Sequence, residues 1–169
     1  MSDSEAIMTR SLLLALFLFF SCIMKFAEGH NDLRNVAYGK LAVQSSEHNT
    51  RKYPASKAVN GLLTDYSHTD TEKTPWLRID LGRNFKIHEI EVFARNDCCA
   101  GQLHDFDVRV GKNIYDMDLC GHFTGSTNVG QRIGIWCPSN TVGRYVQLQI
   151  VMGWTNVLSP AEVLVWGRL

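Results

Sequence analysis

Apolar residues recur at every second position over short runs of this chain, and that spacing decides what it can fold into. In Trp76-Leu77-Arg78-Ile79-Asp80-Leu81, the residues Leu77, Ile79 and Leu81 fall on one face of an extended segment. Arg78 and Asp80 fall on the other, where they are expected to pair, so this is a strand buried on one side. Phe85 to Ala94 alternates too, but its phase slips between Ile87 and Ile90, which predicts a bulge or bend. Phe106, Val108 and Val110 line a third inner face, and Ile133, Ile135 and Cys137, then Val146, Leu148 and Ile150, then Val163 and Val165 repeat the pattern. Turn residues fall between these runs at Asn60-Gly61, Gly82, Gly111, Gly121, Gly125 and Gly143. No segment after the N-terminal region carries a helical period. Many short strands joined by glycine turns predict an all-β, antiparallel, jelly-roll β-sandwich.

The N-terminal region reads differently. Ser11 to Met24 is an apolar run after Arg10, followed by the small-x-small sequence Ala27-Glu28-Gly29. That run is short for a membrane span and is expected to be a secretory signal peptide over residues 1–29. Cleavage there leaves one domain at 30–169, large enough for a single core. Of the 17 basic and 17 acidic side chains, Arg10, Lys25, Asp3, Glu5 and Glu28 depart with the leader, leaving 15 and 14. So balanced a charge argues against nucleic acid or an anionic membrane as partner. The leader also takes Cys22, and Cys98, Cys99, Cys120 and Cys137 remain, an even set that in a secreted chain points to two disulfides in one of three connectivities.

Two of those cysteines stand in the segment richest in chemistry, Arg95-Asn96-Asp97-Cys98-Cys99-Ala100-Gly101-Gln102. Consecutive Cα atoms lie about 3.8 Å apart, closer than the roughly 4.4–6.8 Å of ordinary disulfides. Bonding Cys98 to Cys99 would therefore close a strained ring, and by local sequence alone each cysteine pairs elsewhere or stays free. His104, Asp105 and Asp107 have metal-ligand chemistry, but alternation sets His104 on the opposite face from the two aspartates. Trp76, Trp136, Trp154 and Trp166 read as core or rim aromatics. No nucleophile elbow, zinc-protease motif or phosphate-cradling loop is present, which argues against an enzyme.

From Asn35 onward the chain resembles the F-type lectins (fucolectins), a branch of the discoidin-like β-sandwiches. His68 stands 27 positions before Arg95, Arg95-Asn96-Asp97 matches the family's Arg-x-Asp, and Cys98-Cys99 falls at its vicinal disulfide. The framework agrees at Asn35-Val36-Ala37, Ala58-Val59-Asn60-Gly61, Pro75 to Leu81, Cys137-Pro138 and Gly143-Arg144-Tyr145-Val146. The resemblance implies disulfides Cys98–Cys99 and Cys120–Cys137, and a fucose site in which His68 and Arg95 hydrogen-bond the sugar. The family's last motif position carries Arg or Lys where this chain has Gln102. A neutral amide there trades a charge-assisted bond for a weaker one, a loss of about 1–2 kcal/mol.

The side chains suit a pyranose. Arg95 offers a fork of donors, and a neutral His68 offers one donor and one acceptor. Asp97 is placed to orient Arg95, a Cys98–Cys99 ring would give an apolar platform, and His48, Tyr53 and Tyr66 are candidates to wall the site around a deoxy methyl. The loop from Gly61 to His68 is shorter than in better-known members. A structural calcium is also implied, held near Asn60, Asp65 and Glu162, although Lys57 and Leu62 stand where the family tends to carry oxygen-bearing residues. The sequence thus predicts a secreted, extracellular protein, homo-oligomeric for avidity, that binds fucosylated glycans of microbes, gametes or host cells. The alternative is a discoidin-like adhesion or matrix module that has lost fucose binding.

Overall fold

A computed structural model of the protein describes residues 33–48 and 52–169. The expected signal segment at 1–29 lies outside the described residues. Eight strands form, all paired antiparallel: β1 (Arg34–Asn35), β2 (Leu41–Gln44), β3 (Trp76–Phe93), β4 (His104–Asn113), β5 (Asp116–Ser126), β6 (Arg132–Trp136), β7 (Val142–Ile150) and β8 (Glu162–Arg168). Two short 3-10 helices, Ala55–Val59 and Ala100–Gln102, interrupt the loops.

β3 organises the sandwich because it belongs to both sheets. Its first half pairs with β2 on one edge and β7 on the other, and β7 continues through β4 to β5. Its second half pairs with β6 and β8, and β8 with β1. The handover falls where the register to β7 shifts between Asp80 and Phe85. There Gly82 takes φ +87°, a left-handed conformation open to glycine, and its N–H donates to Asp80 Oδ1 at 2.8 Å. The expected phase slip is also present, as a register shift against β8 between Ile87 and Glu89.

The alternating positions read from sequence supply the core. Leu77, Ile79, Phe106, Val108, Val146 and Leu148 from one sheet join Ile90, Val92, Val163 and Val165 from the other in one buried cluster. Cys120 and Cys137 form a disulfide tying β5 to the segment after β6. Trp136 and Trp154 are exposed, while Trp76 and Trp166 are half-buried.

Two expectations need correction. Arg78 and Asp80 do not pair: Asp80 takes a two-pronged bond from Arg144 at 2.6 and 2.7 Å, and Arg78 lies over the Trp76 ring. Arg144, on the neighbouring strand, engages both carboxylate oxygens of Asp80 fork to fork, which leaves Arg78 to the Trp76 ring. Gly111, Gly121 and Gly143 are not turns but lie inside β4, β5 and β7. Their reason is close approach: a Cβ on Gly143 would meet Val110 Cγ1 at 2.5 Å and the Gly111 carbonyl oxygen at 2.8 Å.

Gly143→Ala is accordingly expected to destabilise the fold by about 1–3 kcal/mol through overpacking, read from the urea midpoint. An unchanged midpoint would mean that β7 and β4 are free to move apart.

Candidate functional site

The site residues gather at the end of the sandwich where β3 stops and β8 begins. Beyond Phe93 the chain is tied down at Ala94, whose N–H donates to Gln131 O, and at Arg95, whose carbonyl accepts from Gly130 N. Ala161 N–H donates to Phe93 O, which brings Ser159 and Pro160 alongside. The loop carrying His68 is stitched to the same end by Ser67 N–H to Pro160 O and Thr69 N–H to Leu158 O. Gln44 spans the two remaining loops, donating from Nε2 to the carbonyls of both Tyr53 and His68.

Arg95 is the centre of this assembly. Its side chain is 5% exposed, so the guanidinium needs partners to offset lost hydration. Nε donates to Asp97 Oδ1 at 2.9 Å and Nη2 to Asp97 Oδ2 at 2.8 Å, a bidentate pair. Nη2 also reaches Cys98 Sγ at 3.4 Å, and Nη1 donates to Gln102 Oε1 at 3.4 Å. One face of the guanidinium lies against the Tyr66 ring, 3.5 Å from its centroid. Tyr66 stacks in turn on Tyr53 at 4.9 Å and 14°. His68 stands 6.2 Å from Tyr66, and His48 packs on His68 at 4.7 Å.

These contacts set the protonation states. Arg95 beside Asp97 holds that carboxyl well below the usual carboxylate range. Burial, reinforced by the hydrogen bond with Tyr53, pushes the Tyr66 phenol up to about 12, and the same bond lowers Tyr53. Burial lowers His68 from its ordinary 6.5. His68 Nδ1 lies 2.7 Å from the Thr69 carbonyl, which can only accept, so Nδ1 carries the proton and Nε2 of the neutral ring is an acceptor.

The structure thus brings His48, Tyr53, Tyr66, His68, Arg95, Asp97 and Cys98 together. Cys99 follows with φ 58°, and the two cysteine Cα atoms are 3.8 Å apart with their sulfurs against one another. Gln102 faces inward, where its Oε1 accepts from Ser159 Oγ at 2.8 Å as well as from Arg95. Ser159 and Gln44 are absent from any sequence-level motif. Both act on backbone or side chains distant in the chain, which only the fold reveals. His104 also departs from simple alternation: Asp105 takes φ 37°, and its carboxylate lies 3.1 Å from His104 Nδ1.

Asn60, Asp65 and Glu162 meet on the neighbouring side. Glu162 is 1% exposed, its Oε1 accepts from Gly61 N–H at 3.1 Å, and its Oε2 is buried without a hydrogen-bond partner among the described residues. Burial raises Glu162 to about 7. Asn60 Nδ2 donates to Asp65, and Lys57 Nζ lies 3.3 Å from Asp65 Oδ2. An orphaned buried carboxylate oxygen beside a second carboxylate and an amide fits an oxygen-seeking cation. Among the described residues no three His, Cys, Asp or Glu side chains gather to hold a metal. Such a cation would therefore draw on backbone carbonyls, with Lys57 competing for Asp65.

The sequence profile of the NedA-like, galactose-binding domain matches residues 57–148. The chain belongs to this family of F5/F8 type C domains. Its kinship with the fucolectins is borne out as well. The Anguilla anguilla fucolectin is 26% identical over 132 residues, covering 70% of this chain and 82% of the eel protein. The Xenopus laevis pentraxin fusion protein is 26% identical over 127 residues, covering 69% of this chain but 30% of its own length. Among solved structures, a fucolectin from striped bass (Morone saxatilis) serum superposes with TM-score 0.74 at 26% identity, over 81% of this chain and 50% of the bass chain. The lectin domain of lectinolysin, complexed with Lewis B antigen, gives TM-score 0.69 at 29% identity over 78% and 95%. The discoidin-like β-sandwich expected from sequence is thereby established, and among the described residues no helix is long and apolar enough to cross a membrane.

Asp97→Asn is expected to lower stability by about 1–2 kcal/mol: it strips a buried cation of its counter-charge, but Asp97 is itself half exposed and screened. The folded-state pKa of Asp97 is depressed, so its contribution is fully present above the ordinary 3.8 and is lost as pH falls below it. Urea melts of parent and variant should therefore differ by a constant amount from neutral pH to about pH 4 and converge in stronger acid. A gap that instead opens in acid would contradict the pairing.

Proposed function

We propose that this protein is an extracellular lectin that binds terminal fucose at the Arg95 end of the sandwich. The convergence of His68 and Arg95 around Tyr66, beside Cys98 and Cys99, supports this reading most strongly. In it, His68 Nε2 accepts a hydrogen bond from a sugar hydroxyl, while the remaining Nη1 hydrogen of Arg95 and the Gln102 amide nitrogen donate. A bonded Cys98–Cys99 ring presents the C–H face of the pyranose with an apolar floor, and Tyr53 and His48 wall the deoxy methyl. Single sites of this kind are weak, and a homo-oligomer displaying several would gain avidity on clustered glycans. A calcium at Glu162 and Asp65 braces the loop that begins at Asn60.

A second reading is favoured by the inward turn of Gln102 onto Ser159 and by the burial of Arg95. In it the domain is an adhesion or matrix module whose sugar site has lapsed. Retention on fucose-agarose with elution by free fucose separates the two, since the module passes unretained. Within the lectin reading His68→Ala should cost roughly tenfold in affinity or more, because it removes a hydrogen-bond partner from a positioned site.

His68 must be neutral for Nε2 to accept, and burial keeps its pKa below 6.5. Affinity for methyl fucoside, followed by calorimetry, should accordingly be flat from pH 8 to about 6.5 and fall only in more acidic buffer. Binding that strengthens on acidification would rule out the acceptor role. For the cation, calcium at about 100 times its Kd should stabilise the parent by about 2.7 kcal/mol. Chelator should reverse that gain and Glu162→Gln should abolish it, and equal Tm values throughout would remove calcium from the reading.

A further inference from the structure

Arg95, the centre of the proposed sugar site, has one face covered by Tyr66 from the loop that precedes β3. The Tyr66 centroid lies 3.5 Å from the guanidinium carbon, and Tyr53 backs the ring at 4.9 Å. No ligand ring fits between groups already at van der Waals separation. Four of the five guanidinium N–H groups point to Asp97, Cys98 and Gln102, so one N–H and the guanidinium faces are what the protein leaves for a ligand, and Tyr66 covers one of those faces. The Tyr66 segment is pinned at its ends, by Asn96 Nδ2 to Leu63 O at 2.9 Å and by Ser67 N–H to Pro160 O at 3.1 Å. A groove of about 200 Å³ lined by Leu63, Thr64, Asp65, Asn96 and Asp97 opens beside the same ring. The ring therefore has somewhere to go.

We infer that Tyr66 is an intramolecular stand-in for the ligand: it occupies the guanidinium face of Arg95 in the free protein and must swing into the neighbouring groove before a sugar can bind. This rests on the fucose reading above and adds the step that sets its affinity. A site competent only when Tyr66 is out has its apparent affinity reduced by the fraction of molecules in that state. Because that fraction is a property of the free protein, it lowers the affinity of every sugar by the same factor.

The test compares parent and Tyr66→Ala for methyl fucoside and methyl galactoside by calorimetry, with the Arg95 Nε–H resonance followed by NMR in the parent. Tyr66→Ala should bind methyl fucoside and methyl galactoside each about tenfold more tightly than the parent, with the ratio between the two unchanged. In the parent, the Nε–H signal, shielded by the tyrosine ring, should move downfield on saturation with fucoside. Equal or weaker binding by Tyr66→Ala, with the parent still binding, would make Tyr66 a wall of the pocket and overturn this inference alone. An Nε–H signal unmoved by bound sugar would do the same. Failure of both proteins to bind any fucosylated glycan would remove the lectin reading, and the stand-in with it.

Discussion

An eighteen-residue strand stretched at about 3.3 Å per residue would be about 60 Å long, whereas a domain of this size has a radius of gyration of about 14 Å. β3 therefore has to bend. The bend at Gly82 moves the strand out of register with β7 and into register with β8, so that one segment serves both layers. Packing the sheets face to face depends on that handover, because β6 and β8 pair with the second half alone. The site depends on it as well. Arg95 sits two residues past the end of β3, and its position is as rigid as the buried ladder that delivers it.

Once Arg95 is delivered to a place with little water, its surroundings follow from the cost of burying a cation. Desolvation of an unpaired guanidinium is worth several kcal/mol, and four neighbours meet it: a carboxylate, an amide oxygen, a sulfur and an aromatic face. Each has a consequence of its own. Asp97 becomes a strong acid, Gln102 is drawn inward and finds Ser159, and Tyr66 is held flat. The same positive charge joins burial in favouring a neutral His68, which fixes the direction of its hydrogen bond to Thr69. Asp97 thus owes its low pKa to Arg95, while His68 and Tyr66 are shifted first by their own burial.

Much of this was legible in the residues. Period-two alternation located the inner faces of β3, β4, β6, β7 and β8, because a half-buried strand repeats every second position whatever its neighbours. His68, Arg95 and Asp97 were legible as a spaced motif, and Asp97 as the group that orients Arg95. What escaped was whatever depends on pairing between distant strands. Arg78 and Asp80 looked like partners, yet Arg144 on β7 reaches Asp80 from across the sheet. Gly111, Gly121 and Gly143 looked like turns because glycine is the same letter whether it relieves a backbone angle or a steric clash. The inward turn of Gln102 Oε1 escaped because nothing in the sequence announces Ser159, fifty-seven residues later.

The loop from Gly61 to Ser67 joins the acidic residues at Asp65 and Glu162 to the ring that covers Arg95. Asp65 stands against Lys57 and close enough to Glu162 for their charges to interact, and the next residue is Tyr66. With Gly61 N–H tied to Glu162 and Leu63 O tied to Asn96, a few bonds separate the acidic cluster from the ring that covers Arg95. On the reading proposed above, a cation ordering Asp65 and Glu162 would change the free energy of moving Tyr66. Linkage would then run in both directions: a sugar displacing Tyr66 would alter cation affinity by the same factor by which the cation altered sugar affinity. Shortening this loop shortens the path between the two sites, leaving few residues to absorb a movement at either end. On that reading the sign of the coupling would depend on which Tyr66 position leaves Glu162 Oε2 better satisfied, since that atom has no hydrogen-bond partner among the described residues.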